Sequence, residues 1–309
     1  MNGPGWLWNT WRNTRCRSVG ISAALYEGSS PAGGYAVPIV VNDQVVPLAP
    51  QDTAIRRLAT VVSTRSDIKQ PTVTTRAMAG LKTEASAFPV AVSSLGQFVL
   101  SAYGVGIEID ASIELAQDVD LINAFVYPDA VSAFEETEEP LFISGTGSGQ
   151  PQGLIGNVGA GITDEPDTAG NLVSIQATLD ILGTLKAKYH DNATFVMQRA
   201  TSLIIRKAQI GTNLYEPVFR RENGVDLLHG YPVEYVSGMP TAARGACPVL
   251  FGDFASGYII GDRGGSALRM KVLDQAGFAQ GLMTLLFYRR TDGRVRRSEA
   301  IQQLNISAS

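Results

Sequence analysis

Apolar residues between Leu121 and Phe134 recur at three- and four-residue intervals: Leu121, Ile122, Phe125, Val126, Ala130, Val131 and Phe134. A helix gathers that spacing on one face, so the region predicts a long amphipathic helix. Pro128 falls inside it and predicts a kink or break near Phe125, since proline lacks an N–H and crowds the preceding turn. The helix is expected to stop at Pro140. Glu135, Glu136, Glu138 and Glu139 crowd its far end, where negative charge opposes the helix dipole, and read as a solvated face. Next comes Ile143-Ser144-Gly145-Thr146-Gly147-Ser148-Gly149-Gln150-Pro151-Gln152-Gly153-Leu154. Glycine permits positive φ and tight reversal, and Pro151 fixes the exit. The run therefore predicts a structural turn built on Gly145, Gly147, Gly149, Gln150, Pro151 and Gly153, which a branched side chain at Gly147 would obstruct.

Around this helix and turn the pattern mixes types. Asp52–Leu58 predicts a short helix with Asp52 near its cap. Phe98–Ile109 alternates as a strand does, and Asp110–Asp118 reads as a helix start or turn. Ile175–Tyr189 and Ala200–Ile210 have helical periodicity. Phe195–Met197, Tyr231–Tyr235, Pro248–Asp253, Tyr258–Ile260 and Met283–Tyr288 read as short strands, with a final apolar stretch at Ala300–Leu304. Helices and strands without regular alternation argue for an α+β fold.

From Ser63 to Gln97 two strand-like stretches, Thr72–Thr75 and Val90–Val92, flank Met78-Ala79-Gly80-Leu81-Lys82-Thr83-Glu84. This predicts a long hairpin with a polar end carrying Arg76, Lys82 and Glu84. A lone hairpin of that length is marginally stable in water, so it is expected to lean on something else, either its own domain or another subunit.

The 309 residues, 45% apolar and 17% charged, suffice for one large domain or two joined ones. A net charge of −4 lacks the basic excess of a dedicated nucleic-acid binder and is compatible with a container. Cys16 and Cys247, far apart and without metal-ligand spacing, predict reduced thiols. No apolar run spans a bilayer, and the tryptophan- and arginine-containing N-terminus lacks a signal-peptide core, so neither membrane nor secretion is expected. His190 and His229 stand isolated, and the nucleophile-elbow pattern is missing. The Gly145–Gly153 run fails as a phosphate loop because Gln150-Pro151 stand where Lys and Ser or Thr are needed. The sequence thus predicts no catalytic residue, cofactor or metal, and a hydrolase or transferase reading lacks a convergent set of acids, bases and nucleophiles.

The stretch Ile109–Asp118, the helix ending in acidic residues, and Phe142–Leu154 together resemble the tailed-bacteriophage major capsid proteins of the Hong Kong 97-type fold. Ala32-Gly33-Gly34-Tyr35-Ala36-Val37-Pro38 is similar to the start of that family's shell domain. Phe251-Gly252-Asp253-Phe254 with Tyr258–Ile260 and Arg263 is similar to a late strand pair, and Gly293-Arg294-Val295 with Glu299–Ile301 to its usual ending. The resemblance implies an N-terminal arm over 1–34 and a peripheral domain with the spine helix over 35–62 and 98–174. It further implies an extended loop over 63–97, an axial domain over 175–270 and a return to the peripheral domain over 271–309.

It also implies a subunit that self-assembles through pentamers and hexamers into an icosahedral head shell enclosing double-stranded DNA without sequence-specific binding. Portal, scaffold, protease or decoration proteins would be its partners, and the virion its destination after assembly in the host cytoplasm. Many family precursors carry a helical scaffolding segment. The chain has no room for one, which implies a mature form or a separate scaffold. Some members form a lysine–asparagine isopeptide bond between subunits. Lys82, near the hairpin end with Glu84 beside it, is a candidate donor, but no motif marks an acceptor, Asn305 being the only asparagine after Asn223. Encapsulin-like compartments share the fold, yet the Gly145–Gly153 turn and the Ala32–Pro38 stretch look more like phage capsids.

Overall fold

The computed structural model describes residues 53–308, apart from 85, 89, 113–125, 167–171, 212–217, 266 and 274–280. The chain divides into units 1–46 and 47–309, and all described residues belong to the second. The arm over 1–34, the Ala32–Pro38 stretch, Cys16, the Asp52 cap, the kink near Phe125 and Ile113–Asp118 lie outside the described residues.

A five-stranded sheet is organised around β13 (Leu282–Val295), whose length lets it serve several partners. Along one edge it pairs antiparallel with β4 (Tyr103–Ser112). Along the other it pairs first with β12 (Arg269–Leu273) and then with β11 (Tyr258–Arg263). β11 in turn pairs parallel with β1 (Thr60–Thr64). Strand periodicity puts Leu285, Phe287, Arg289 and Thr291 on one face of β13, and their partners Ile109, Ile107 and Val105 share it. Helix α2 (Tyr127–Ser144) packs there through Ala130 and Phe134.

α2 departs from the sequence expectation at Pro140. Pro128 sits in its first turn, where a missing N–H costs nothing, and not in its interior. Pro140 lies inside the helix, which runs on to Ser144. An interior proline costs about 3 kcal/mol. Burial of Phe142 and Ile143 just beyond it, at 1% and 0% exposure, offsets that cost.

The second sheet has seven strands in the order β5 (Gly159–Asp164), β14 (Ile301–Ile306), β10 (Val249–Gly252), β6 (Thr194–Met197), β9 (Tyr231–Tyr235), β8 (Val225–Leu228), β7 (Phe219–Glu222). β6 and β10 are buried on both faces, hence their unbroken apolar runs. Phe195, Met197, Val249 and Phe251 face one core with α3 (Ile175–Thr184), while Val196 and Leu250 face a second core with Phe142, Ile143 and Tyr258. The helix expected over Ile175–Tyr189 ends at Thr184, and a 3₁₀ segment, Ala187–Asn192, follows an extended Leu185. α4 (Arg199–Gly211) completes this half. β7 and β8 are absent from the sequence reading. They are joined by Asn223-Gly224 and β8 to β9 by His229-Gly230, all four at positive φ, as two-residue hairpins require.

Each of these two sheets draws strands from distant parts of the sequence. β5 and β14 lie in the seven-stranded sheet, and β11 and β12 in the five-stranded one. Asp110–Ser112 continues strand β4 where a helix start or turn was expected. The third sheet is the hairpin of β2 (Ile68–Thr75) and β3 (Ser94–Leu100). Its second strand begins at Ser94, so Val90–Val92 belongs to the irregular end and is not a strand.

Candidate functional site

The spacing Phe134, Glu138, Phe142 places one carboxylate between two aromatic rings on the buried stripe of α2. Glu138 is 2% exposed, so the acidic cluster is not simply a solvated face, contrary to the sequence expectation. Arg289, from the sheet face beneath, donates to Glu138 from Nε at 2.8 Å and brings Nη2 to 2.6 Å. Arg56 of α1 (Ile55–Leu58) reaches Glu138 at 2.7 Å and the fully buried Asp262 of β11 at 2.6 Å. Two guanidiniums and two carboxylates balance, and Arg289 and Arg56 lie over the rings of Phe134 and Phe142, each at 5.7 Å. Compensation of this kind is what lets charge remain inside a fold.

Glu139, 5% exposed, caps α1 in place of a local side chain. Its Oε1 accepts from the N–H of Ala54 at 2.5 Å and of Ile55 at 2.9 Å. Burial pushes the Glu139 carboxyl above the usual range, with those two donors opposing. The two glutamates thereby fasten the first described helix to the long one.

The Gly145–Gly153 run folds back on the end of α2. Gly145 closes the helix, its N–H donating to Leu141 O at 2.9 Å. Gly147 and Gly149 adopt φ of +76° and +71°. Gly147 N–H donates to Pro151 O at 3.1 Å and Gly153 N–H to Gly145 O at 2.7 Å, while Gln150 Nε2 holds Thr146 Oγ1 at 2.9 Å. The turn is also stitched outward: Gln152 N–H donates to Gly293 O at 2.9 Å, and the buried Tyr258 hydroxyl donates to Gln152 O at 2.6 Å. The run therefore joins α2, β11 and β13.

Asp292 does the same for the hairpin. Ser101 lies in the connection between β3 and β4, and its N–H donates to Asp292 at 2.7 Å; Gly293 N–H donates at 2.8 Å. Burial pushes the Asp292 carboxyl up to about 6, with the Ser101 N–H and Arg294 opposing. A carboxyl whose folded pKa lies above its unfolded value near 4 favours the folded state most below that value, and the contribution is lost as pH rises through about 6. The melting temperature of the wild type should therefore carry a component that falls between about pH 4 and pH 6. Asp292→Asn should remove that component, as followed by circular dichroism melts across the window. An unchanged pH profile in the variant would assign the dependence elsewhere.

Arg76, Lys82 and Glu84 are all exposed in the irregular end of the hairpin, and Lys82 Nζ stands 4.6 Å over the Phe88 ring. The structure does not bring them together with the glycine turn. Cys247 is buried, and burial pushes its thiol up to about 12, which leaves it un-ionised and unreactive as a nucleophile. Among the described residues no helix is long and apolar enough to cross a membrane. The buried cluster of Arg56, Glu138, Asp262 and Arg289 is missing from the sequence reading, although a glutamate midway between two phenylalanines at four-residue spacing was its available signal.

An arrangement that spends its charges and glycines on joining elements is a scaffold, and comparison with known proteins gives the kind. A model of the phage capsid family matches residues 33–306. The chain belongs to the phage capsid family. Its fold is accordingly similar to the capsid of a native GTA particle, at a TM-score of 0.76 and 23% identity over 92% of this chain and 100% of that one. The capsid of an empty GTA particle gives 0.72 and 24% with the same coverage. A structure from Microbacterium phage Oxtober96 gives 0.67 and 15% over 90% of this chain and 99% of that one. These likenesses establish the α+β Hong Kong 97-type capsid fold. No curated protein sequence matches the chain significantly.

Proposed function

We propose that this phage capsid family member is the major capsid protein, self-assembling through pentamers and hexamers into an icosahedral head shell around double-stranded DNA. The observation that carries the reading is the hairpin. Met78, Leu81, Phe88, Val90 and Val92 are between 73% and 103% exposed at its end, with Val73 and Leu95 exposed on its strands. Each would gain about 1.5–3 kcal/mol by burial. So much apolar surface on an arm that its own domain does not cover calls for a neighbour. In this reading 63–97 is the extended loop, α2 the spine of the peripheral domain, and the seven-stranded sheet belongs largely to the axial domain. Portal, scaffold or decoration proteins complete the particle, which is assembled in the host cytoplasm.

Excising residues 77–85 tests the reading. The shortened chain should stay soluble and keep its circular dichroism spectrum and melting temperature, because the excised segment contributes nothing to the buried cores. Negative-stain microscopy should show that it no longer forms closed shells. Normal shells would remove the hairpin from assembly.

A further inference from the structure

Along β2 of the hairpin a cleft of about 800 Å³ opens between that strand, the 3₁₀ segment Ala187–Asn192 and the connection from β13 to β14. Arg76, Lys186, Lys188, Arg296 and Arg297 line it, against one carboxylate, Glu299. Lys186 pairs with that carboxylate, and Tyr189 donates to it at 2.9 Å. Arg76, Lys188 and Arg296 make no ion pair among the described residues. The wall is held firmly, since the N–H groups of Arg296 and Arg297 both donate to Gly257 O, at 2.7 and 3.1 Å. The cleft thus concentrates positive charge in a chain whose total is −4; with its six charged side chains set aside, the remainder carries −8.

We propose that the cleft seats an acidic segment of a neighbouring copy of the same chain, whose carboxylates pair with Arg76, Lys188 and Arg296. The inference rests on the shell-forming reading and adds to it a specific surface and the chemistry of its occupant. Three observations favour a second copy. The rest of the chain is acidic and therefore complementary to the cleft. Val73 belongs both to the cleft wall and to the exposed apolar strip of the hairpin, so a subunit lying against the strip reaches the cleft without a break. A volume of about 800 Å³ matches a short cluster of side chains. Apolar contact along the hairpin would then supply attraction, and the charged cleft would fix register and direction.

The test uses particles of the full chain assembled from equal parts of ¹⁵N-labelled and unlabelled subunits, treated with a carbodiimide that joins amines to carboxylates in contact. Mass spectrometry should find Lys188 joined to an Asp or Glu of the other isotope. Lys188 joined only within its own chain, or not at all, in intact particles overturns the clamp and leaves the shell reading standing. Failure of the unaltered chain to form particles even when a scaffold protein is co-expressed with it overturns both. In parallel, Lys188→Glu with Arg296→Glu should raise the subunit concentration needed for assembly about tenfold or more at low salt, with Lys188→Arg close to wild type. The melting temperature of the double variant should stay at the wild-type value. An unchanged assembly threshold, with binding to a short DNA duplex lost, would assign the cleft to nucleic acid instead.

Discussion

Glu138→Gln is expected to destabilise the folded subunit by about 3–5 kcal/mol, since it removes the shared partner of two largely buried guanidiniums while preserving side-chain volume. Arg289 is 8% exposed and has Glu138 as its carboxylate, while Arg56 would keep only Asp262. The loss is expected to spread along the chain, because this cluster ties α1, α2, β11 and β13 at one point. Arg57→Ala is the matched control. Its pair with Glu234 is at 2.5 Å, but the arginine side chain is 65% exposed, so the change should cost less than about 1 kcal/mol. Urea denaturation of unassembled subunits separates the two. Equal midpoints for both variants would show that the buried cluster contributes no more than a surface pair.

Gly153→Ala should be comparably damaging for a steric reason. A Cβ there would sit 2.6 Å from Ile143 O and 2.7 Å from Ser144 C, and closer still to Gly145 N. All three are backbone atoms. They cannot retreat without opening the bonds from Leu154 N–H to Phe142 O and from Ile155 N–H to Ile143 O, both 2.9 Å. A cost of about 3 kcal/mol, at the upper end for overpacking, is expected. Gly156→Ala calibrates it: φ there is +81° with open space around the position, so only conformational strain of about 1 kcal/mol applies. Gly147→Val falls between, combining φ of +76° with a Cβ contact of 3.3 Å to Gln152. Thermal melts should rank the losses as Gly153→Ala, then Gly147→Val, then Gly156→Ala, from largest to smallest. A Gly156→Ala loss as large as that of Gly153→Ala would remove close backbone approach as the explanation.

What could be read without coordinates was whatever depends on local pattern. Alternation over Val105, Ile107 and Ile109 marks β4, and the unbroken Phe195–Met197 and Val249–Phe251 runs mark strands buried on both faces. The glycine run announces a turn because only glycine tolerates those φ values cheaply. The Asn223-Gly224 hairpin was missed, although that dipeptide favours two-residue turns and was the available signal. Pro140 was misread because its effect depends on tertiary packing: the cost of an interior proline is overridden by burial of the residues beyond it, while Pro128 stands in the first turn, where the same ring is harmless.

The order of secondary-structure signals along the chain was thus determined by the sequence itself, because helix period, strand alternation and glycine placement act between near neighbours, and the same stretches carried the resemblance to the phage capsid family. The partners of Glu138, Glu139 and Asp292 were decided by the tertiary structure alone. Arg289 lies 151 residues from Glu138, Ile55 lies 84 from Glu139, and Ser101 lies 191 from Asp292. Whether a carboxylate is solvated or buried against a guanidinium or backbone donor depends on which sheet face and helix end meet it. No local pattern encodes that meeting; it is set when β13 is enclosed between β4, β11 and β12 and α2 is laid across it.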